Sequence, residues 1–194
     1  MIRSYYDSDR DILGAILQLH AVGERFDLDP TYSKGLFWAG LPEPRFKSDL
    51  APQVSGLVQA DARCLPFSGN SMSSICFDPP FMFGTHGQTK NNIMNRRFTM
   101  FDSWLELVAM YQGSLHEFHR VLSPKGILAF KCQDYTDSKT TMTHCYVWQW
   151  AIERGFYPKD LFIKLAKGGR IYNPNLVQRH ARKFHSYWWV FEKN

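Results

Sequence analysis

The sequence lacks any close pair of cysteines, because its four lie far apart at Cys64, Cys76, Cys132 and Cys145. Structural zinc sites use closely spaced cysteines, and small secreted domains carry dense disulfide frameworks. Neither pattern occurs here, and two of the four cysteines fall in or beside apolar runs. We therefore expect no metal site, no disulfide framework and a reducing compartment.

Long apolar runs are missing as well. None approaches the ~20 residues that a helix needs to cross a bilayer, and the first residues hold no apolar stretch of the signal-peptide kind. Internal repeats and low-complexity tracts are also absent. We expect a soluble, cytoplasmic protein with no membrane contact. Its 194 residues fit one domain over 1–194, with no separate target-recognition domain.

Acidic residues become scarce in the second part of the chain. Residues 1–80 carry a net charge of −3, with 7 Lys and Arg against 10 Asp and Glu, whereas residues 81–194 carry +8, with 16 against 8. A polyanionic partner that meets the protein on this later part explains the asymmetry, and solubility alone is the alternative explanation.

Helix and strand patterns broadly alternate along the chain. Helical spacing of apolar residues predicts helices at 8–23, 103–121 and 143–154. Short apolar or extended segments predict strands at 25–29, 44–49, 57–61, 74–77, 127–131, 160–166 and 185–192. This alternation is typical of a mostly parallel sheet with helices on both faces. Ligands bind at the carboxyl ends of such strands, where Asp29, Asp49, Asp61 and Asp78 fall.

Asp78, Pro79, Pro80 and Phe81 directly follow the predicted buried strand at 74–77. The exocyclic amine of adenine or cytosine is a poor nucleophile unless acceptors hold its two N–H groups. Asp78 can accept one of them, and the prolines stiffen the loop so that a backbone carbonyl can be aimed at the other. Phe81 offers an apolar face for a stacked base. The pattern indicates methyl transfer to an amine, although Asp-Pro-Pro is also a good turn.

With these four acids in order, the chain resembles the S-adenosyl-L-methionine-dependent amino-methyltransferases of nucleic acids, of the DPPF type. It is most similar to small DNA adenine or cytosine methylases of the phage and prophage type. The similarity covers nearly the whole chain, and the family often places an LPF where Leu65-Pro66-Phe67 stands. The resemblance implies an α/β, Rossmann-like class I methyltransferase fold with a mostly parallel sheet and an antiparallel last strand.

The resemblance also implies S-adenosyl-L-methionine as cofactor and three groups of residues that bind it. The methionine end would be held by Asp29, Tyr32, Ser33 and Gly35. The ribose hydroxyls would be held by Asp49, 20 positions beyond Asp29, and the adenine amino group by Asp61 with Ala62. One departure is the loop at 29–35, which has a single glycine where the family has a glycine-rich turn. The cofactor then binds through side chains, or binds weakly.

Basic residues with interleaved aromatics predict a nucleic-acid surface. The loop after Phe81 has no acid before Asp102, and residues 161–190 have none at all. The candidates for phosphate contacts are Lys90, Arg96, Arg97, Lys167, Arg170, Arg179, Arg182 and Lys183. A solvated basic face is the alternative.

The sequence thus predicts methylation of adenine N6 in DNA, with the base flipped into a pocket beside Phe81. Cytosine N4 and adenine in RNA are alternative targets, since one motif serves all three. A rival from another class is a catalytically silent, nucleic-acid-binding subunit. The protein would then work with a partner subunit, and a homodimer is the other possible assembly.

Overall fold

In a computed structural model, the chain is described at residues 1–21, 23–84, 101–136, 139–166, 177 and 179–194. Three α-helices are described: α1 (Asp9–His20), α2 (Trp104–Val121) and α3 (Thr143–Glu153), together with a 3-10 helix at Leu36–Trp38. The strands are β1 (Tyr5–Tyr6), β2 (Leu28–Asp29), β3 (Phe46–Asp49), β4 (Val58–Gln59), β5 (Met72–Phe77), β6 (Leu122–Cys132), β7 (Tyr135–Thr136), β8 (Thr140–Thr141), β9 (Phe156–Leu165) and β10 (His185–Lys193).

Eight of these strands form one sheet in the order β1-β9-β10-β6-β5-β2-β3-β4. Five neighbouring strands of this order are parallel to one another: β6, β5, β2, β3 and β4. β10 runs antiparallel to both of its neighbours, β6 and β9. The chain moves outward from β2 to β3 and β4, then returns to place β5 on the other side of β2. Sheets of this kind bind ligands where the order reverses. The β2–β5 junction is therefore the expected site.

The sheet has an apolar core on each face. Alternate residues of a strand point to opposite faces, so Phe77 and Phe130 pack with α2 and α3, whereas Cys76 and Ala129 pack with α1. Helices therefore cover both faces. Among the described residues, no helix is both long enough and apolar enough to cross a membrane.

The predicted alternation and the antiparallel last strand are confirmed. All three predicted helices and all seven predicted strands are present, with shifted bounds. β6 begins at Leu122 rather than at 127, because Leu122 also pairs with Met72 of β5; the register then shifts around Lys125, which has left-handed backbone with φ 64°, and regular pairing resumes at Ile127 with Ser74. The prediction missed β1, the β7–β8 hairpin and the 3-10 helix, which are only two or three residues long.

Candidate functional site

The four acids lie at one edge of the sheet, as the sequence predicts. Asp29 and Asp49 end β2 and β3, Asp61 follows β4, and Asp78 follows β5. Because these strands are neighbours and parallel, the acids stand in the order Asp61, Asp49, Asp29, Asp78 across the edge. Asp29 and Asp78 flank the point at which the strand order reverses.

Asp29 is buried, with 3% of its surface exposed. Its Oδ1 accepts from the Thr31 backbone N–H at 2.9 Å, and its Oδ2 accepts from Trp38 Nε1 at 2.9 Å. Burial raises its pKa from 3.8 to about 7, while these donors oppose the shift. The hydroxyl of Thr31 also accepts from the Asp78 backbone N–H at 3.0 Å. Thr31 therefore ties the loop after β2 to the DPPF segment.

The glycine-poor loop after β2 rests on the end of β3. The Ser33 backbone N–H donates to Asp49 Oδ2 at 2.9 Å, and the Gly35 N–H donates to the Tyr32 carbonyl at 2.8 Å. Ser33 and Gly35 both have left-handed backbone, with φ of 52° and 68°. A Cβ on Gly35 would collide with the ring of Tyr32. The structure thus brings Tyr32, Ser33, Gly35 and Asp49 together, and the single glycine allows Tyr32 to pack against the turn.

Asp61 is held by its own loop. Its Oδ2 lies 2.6 Å from Arg63 Nη2, and Oδ1 accepts from the Arg63 backbone N–H at 2.9 Å. This arginine lowers the pKa of Asp61 although partial burial opposes it. Ala62, between them, is buried. The acid predicted to meet an adenine amino group therefore already has a guanidinium partner.

The LPF segment after Asp61 is fixed to helix α2. The Leu65 backbone N–H donates to Glu117 Oε1 at 2.6 Å, and Arg120 donates to the carbonyls of Phe67 and Leu65 at 2.9 and 3.2 Å. Glu117 and Arg120 also pair with each other at 2.6 Å. This pair holds the loop that carries Asp61.

The DPPF segment leaves β5 directly between β2 and β6. Pro79 is buried, whereas Pro80 and Phe81 are half-buried. The hydroxyl of Tyr111, on α2, donates to the Pro80 carbonyl at 2.9 Å. The side chain of Asp78 is 23% exposed, and its Oδ1 lies 3.2 Å from Lys131 Nζ. Burial raises the pKa of Asp78, and Lys131 opposes that rise.

Hydrogen bonds and ring contacts fix the chain just after Phe81, where it leaves the DPPF motif. Phe83 bridges to Phe101 in parallel register, the Gly84 N–H donates to the Phe101 carbonyl at 3.0 Å, and the Phe101 N–H donates to the Met82 carbonyl at 3.0 Å. The ring of Phe83 packs on Trp104 and Tyr135, with centroids 5.2 and 4.8 Å away. Gly84 and Phe101 therefore lie together beside the DPPF loop.

Of the predicted phosphate-binding residues, three are described. Arg179 is exposed, and Arg182 and Lys183 are half-buried. They precede β10, whose amino end pairs with the carboxyl end of β6 through Tyr187 and Cys132. The chain therefore passes from these residues into β10 at the sheet edge that carries Asp78. Lys90, Arg96, Arg97, Lys167 and Arg170 lie outside the described residues.

Sequence reasoning missed Lys131 and its second partner, Asp9. Lys131 lies within β6, between the buried Phe130 and Cys132, and a lysine in that position is visible in the sequence as unusual for a buried strand. Asp9 lies in the first turn of α1, where acids are common, so its position in the sequence indicates no further role. Its Oδ1 lies 3.2 Å from Lys131 Nζ, a contact that no local pattern predicts.

A polar cluster beyond β6 was missed as well. His144 Nδ1 lies 2.7 Å from the buried Asp134, and the His144 ring stacks on Tyr187 with centroids 4.2 Å apart. The Tyr187 hydroxyl donates to Asp134 Oδ2 at 3.3 Å. Burial, followed by the charge of Asp134, raises the pKa of Tyr187 to about 12, so the hydroxyl keeps its proton. The cluster fastens the start of α3 to β10.

No protein-family model matches the sequence, and no curated protein matches it in sequence. Solved structures do match. The 1,6-didemethyltoxoflavin-N1-methyltransferase of Burkholderia thailandensis, solved with 1,6-didemethyltoxoflavin and S-adenosylhomocysteine, has a TM-score of 0.56 and 16% identity, over 96% of this chain and 79% of that one. An rRNA methylase of Streptococcus thermophilus has a TM-score of 0.52 and 14% identity, over 100% and 98%.

TrmN of Thermus thermophilus has a TM-score of 0.52 and 16% identity, over 95% of this chain and 48% of that one. The chain spans about half the length of TrmN and of a second Thermus thermophilus protein. At these identities the likeness concerns architecture. Together with the strand order, it shows that the chain has the Rossmann-like methyltransferase fold.

Proposed function

We propose that this protein transfers a methyl group from S-adenosyl-L-methionine to an exocyclic amine of a base in DNA, with adenine N6 as the target. The observation that carries the proposal is the position of Asp78-Pro79-Pro80-Phe81 at the carboxyl end of β5, beside β2, where the strand order of a methyltransferase fold reverses. Rigid acceptors at such a point can hold an amine in place for reaction.

The contacts of the DPPF segment support one choice of acceptors. Lys131 contacts Oδ1 of Asp78, so Oδ2 is the oxygen that receives one N–H of the amine. Tyr111 donates to the carbonyl of Pro80, so the Pro79 carbonyl receives the other N–H. Phe81, half-buried at the end of the motif, forms the wall on which the flipped base stacks.

The polar groups beside the motif fit part of the cofactor. Asp29 would meet the methionine ammonium, Ser33 and Gly35 would present backbone to the methionine end, and Asp49 would accept from the ribose hydroxyls. The cofactor, when bound, supplies an activated methyl group. Carboxylates suit an ammonium and hydroxyls, since both are donors. Both oxygens of Asp29, Asp49 and Asp61 already accept hydrogen bonds within the protein, and Asp61 fits least well because its partner, the guanidinium of Arg63, is itself a cation.

The charge distribution supports a nucleic acid as substrate. Arg179, Arg182 and Lys183 approach the sheet edge that carries Asp78, on the part of the chain with a net charge of +8. Cationic side chains around a site that processes single bases are suited to phosphate contacts. Binding should therefore weaken steeply with salt.

The test is incubation of the purified chain with tritiated S-adenosyl-L-methionine and DNA or RNA, followed by nucleoside analysis. We expect N6-methyladenine in DNA, and Asp78→Ala should reduce methylation by at least about a hundredfold while DNA binding is kept. Label found in N4-methylcytosine or in RNA would show that cytosine or RNA is the substrate instead. Full turnover by Asp78→Ala would refute the role of Asp78.

A silent nucleic-acid-binding subunit is the second candidate, and the Asp61–Arg63 pair favours it. An acid that is held by an arginine is poorly placed to receive an adenine amino group. Calorimetry with S-adenosyl-L-methionine separates the two candidates. Binding supports the enzyme, and no heat at millimolar cofactor supports the silent subunit.

A further inference from the structure

Lys131 is a buried lysine directly beside the DPPF motif. Phe77 of β5 is paired with Phe130 of β6, so Asp78 and Lys131 follow as the next neighbours. Both side chains lie on the face that α1 covers, in line with Cys76 and Ala129. Only 7% of Lys131 is exposed. The strand register itself therefore places an ammonium against the proposed acceptor.

The ammonium of Lys131 is shared between two carboxylates. It lies 3.2 Å from Asp78 Oδ1 and 3.2 Å from Asp9 Oδ1. Asp9 also receives Lys164 Nζ at 2.7 Å and the indole N–H of Trp188 at 2.9 Å. Two lysines and two aspartates thus form a chain, Lys164–Asp9–Lys131–Asp78. A buried charge is tolerated when it is paired and hydrogen-bonded, and each member here has such a partner.

Aromatic rings close the remaining sides of the ammonium. Lys131 Nζ lies 4.6 Å from the ring centroid of Phe37 and 5.5 Å from that of Trp188. Cations are attracted to ring faces, and rings exclude water. Burial lowers the pKa of Lys131, but the two carboxylates outweigh it and the net change is upward. Lys131 therefore stays charged.

The other titratable groups near Asp78 come from every element around it. They are Asp29 of β2, Cys76 of β5, Tyr111 of α2, Asp9 of α1, Lys131 of β6 and Lys164 of β9. Burial raises the pKa values of Cys76 and Tyr111 well above their usual range, so both stay neutral. Asp9 and Asp29 disfavour a charge on Asp78, and the two lysines favour it.

We propose that Lys131 is a positioning residue, which binds Oδ1 of Asp78, turns Oδ2 toward the substrate amine and keeps the carboxyl ionised so that it can accept. This inference rests on the proposed function. It explains how a carboxyl whose pKa is raised by burial remains an acceptor, since a protonated carboxyl offers a donor on one oxygen.

The experiment follows Asp78 directly and by activity. The carboxyl carbon of Asp78, assigned by its loss in Asp78→Asn, is titrated by NMR in the wild type, Lys131→Met, Lys131→Arg and Lys164→Met. We expect Lys131→Met to move the titration of Asp78 up by more than one pH unit. Lys131→Arg, which keeps the charge, should move it little. Lys164→Met, which removes a lysine that contacts Asp9 only, should give a smaller shift than Lys131→Met.

Methylation rates give the second readout. Because the ionised carboxyl is the acceptor, Lys131→Met should lose at least tenfold in kcat near neutral pH and recover as the pH rises through the new titration. The double variant Lys131→Met with Asp78→Asn should lose that pH dependence, since an amide does not titrate. Lys131→Arg should restore most of the rate.

The outcomes separate the two proposals. If the wild type methylates no nucleic acid, the proposed function fails, and the NMR titration still decides the role of Lys131. An unshifted Asp78 in Lys131→Met refutes the inference, and so does a rate loss that is equal at every pH. Should Lys131→Met not fold, Lys131→Gln, which keeps a donor without charge, must show the same upward shift.

Discussion

The raised pKa of the buried Asp29 can be tested by measuring how stability depends on pH. Asp29 is 3% exposed, and burial raises its pKa from 3.8 to about 7. Replacing it by asparagine keeps the size and a carbonyl oxygen that can still accept from Thr31 or Trp38. The substitution removes the ability to ionise and replaces one accepting oxygen by an NH2 donor, and the second effect does not depend on pH. Any pH-dependent difference between the two proteins therefore comes from this one carboxyl.

The sign follows from proton uptake. Between pH 3.8 and about 7 the folded protein keeps the Asp29 proton, whereas the unfolded chain has released it. The free energy of unfolding of the wild type therefore declines through this window as the pH rises. Above the folded-state pKa both states have released the proton, and the decline stops. At 1.36 kcal/mol for each pKa unit, the decline approaches about 4 kcal/mol as an upper limit.

The assay is urea unfolding of both proteins from pH 4.5 to pH 8. We expect the free energy of unfolding of Asp29→Asn to gain on that of the wild type steadily up to about pH 7 and then stay level. Trp38→Phe, which removes the indole donor to Asp29, should move the levelling point to higher pH. Ser48→Ala, a buried and non-titrating site on the next strand, should shift stability equally at every pH. A difference between Asp29→Asn and the wild type that is constant over the range would refute the reasoning.

Two further predictions concern backbone that supports the site. Gly35→Ala should lower the free energy of unfolding by more than Gly23→Ala, because both have positive φ, of 68° and 83°, but only at Gly35 does the new Cβ collide with a side chain; equal losses in thermal melts would contradict the packing of Tyr32 on the turn. Tyr111→Phe should lower the free energy of unfolding by about 1 kcal/mol, since the hydroxyl donates to the Pro80 carbonyl at 2.9 Å. It should also reduce kcat more than it changes KM for DNA, and an unchanged kcat would show that this hydrogen bond does not shape the motif.

The sheet edge was predictable because its signal is local. A short apolar or extended segment that leads to an acid occurs four times in order, and parallel strands bring their ends together. The same local reasoning supplied the helices, since apolar spacing acts within a few positions. The cap of α2 was not predicted: Ser103 accepts from the Glu106 backbone N–H at 3.3 Å.

The sequence did not predict contacts between residues far apart along the chain, the direction of some side chains, or very short strands. Asp9 and Lys131 meet across the sheet only because β5, β6 and α1 are assembled. Arg63 pairs with Asp61 two residues away, yet the same spacing is equally compatible with an arginine that points to solvent. The strand Tyr5–Tyr6 has two residues and one exposed side chain, so its pairing with β9 leaves no periodic pattern to detect.

The position of β10 has a consequence for how the molecule is assembled. It is synthesised after every other element named here, yet it lies inside the sheet, between β6 and β9. Until β10 arrives, β9 and β1 have no route of hydrogen bonds to the strands that carry the acids. The nascent protein therefore exposes an open strand edge on β6 from the completion of β6 at Cys132 until β10 is made, and edges of that kind are where aggregation begins. Loss of a few residues near position 190 would separate β1 and β9 from the other strands, instead of removing only an edge strand.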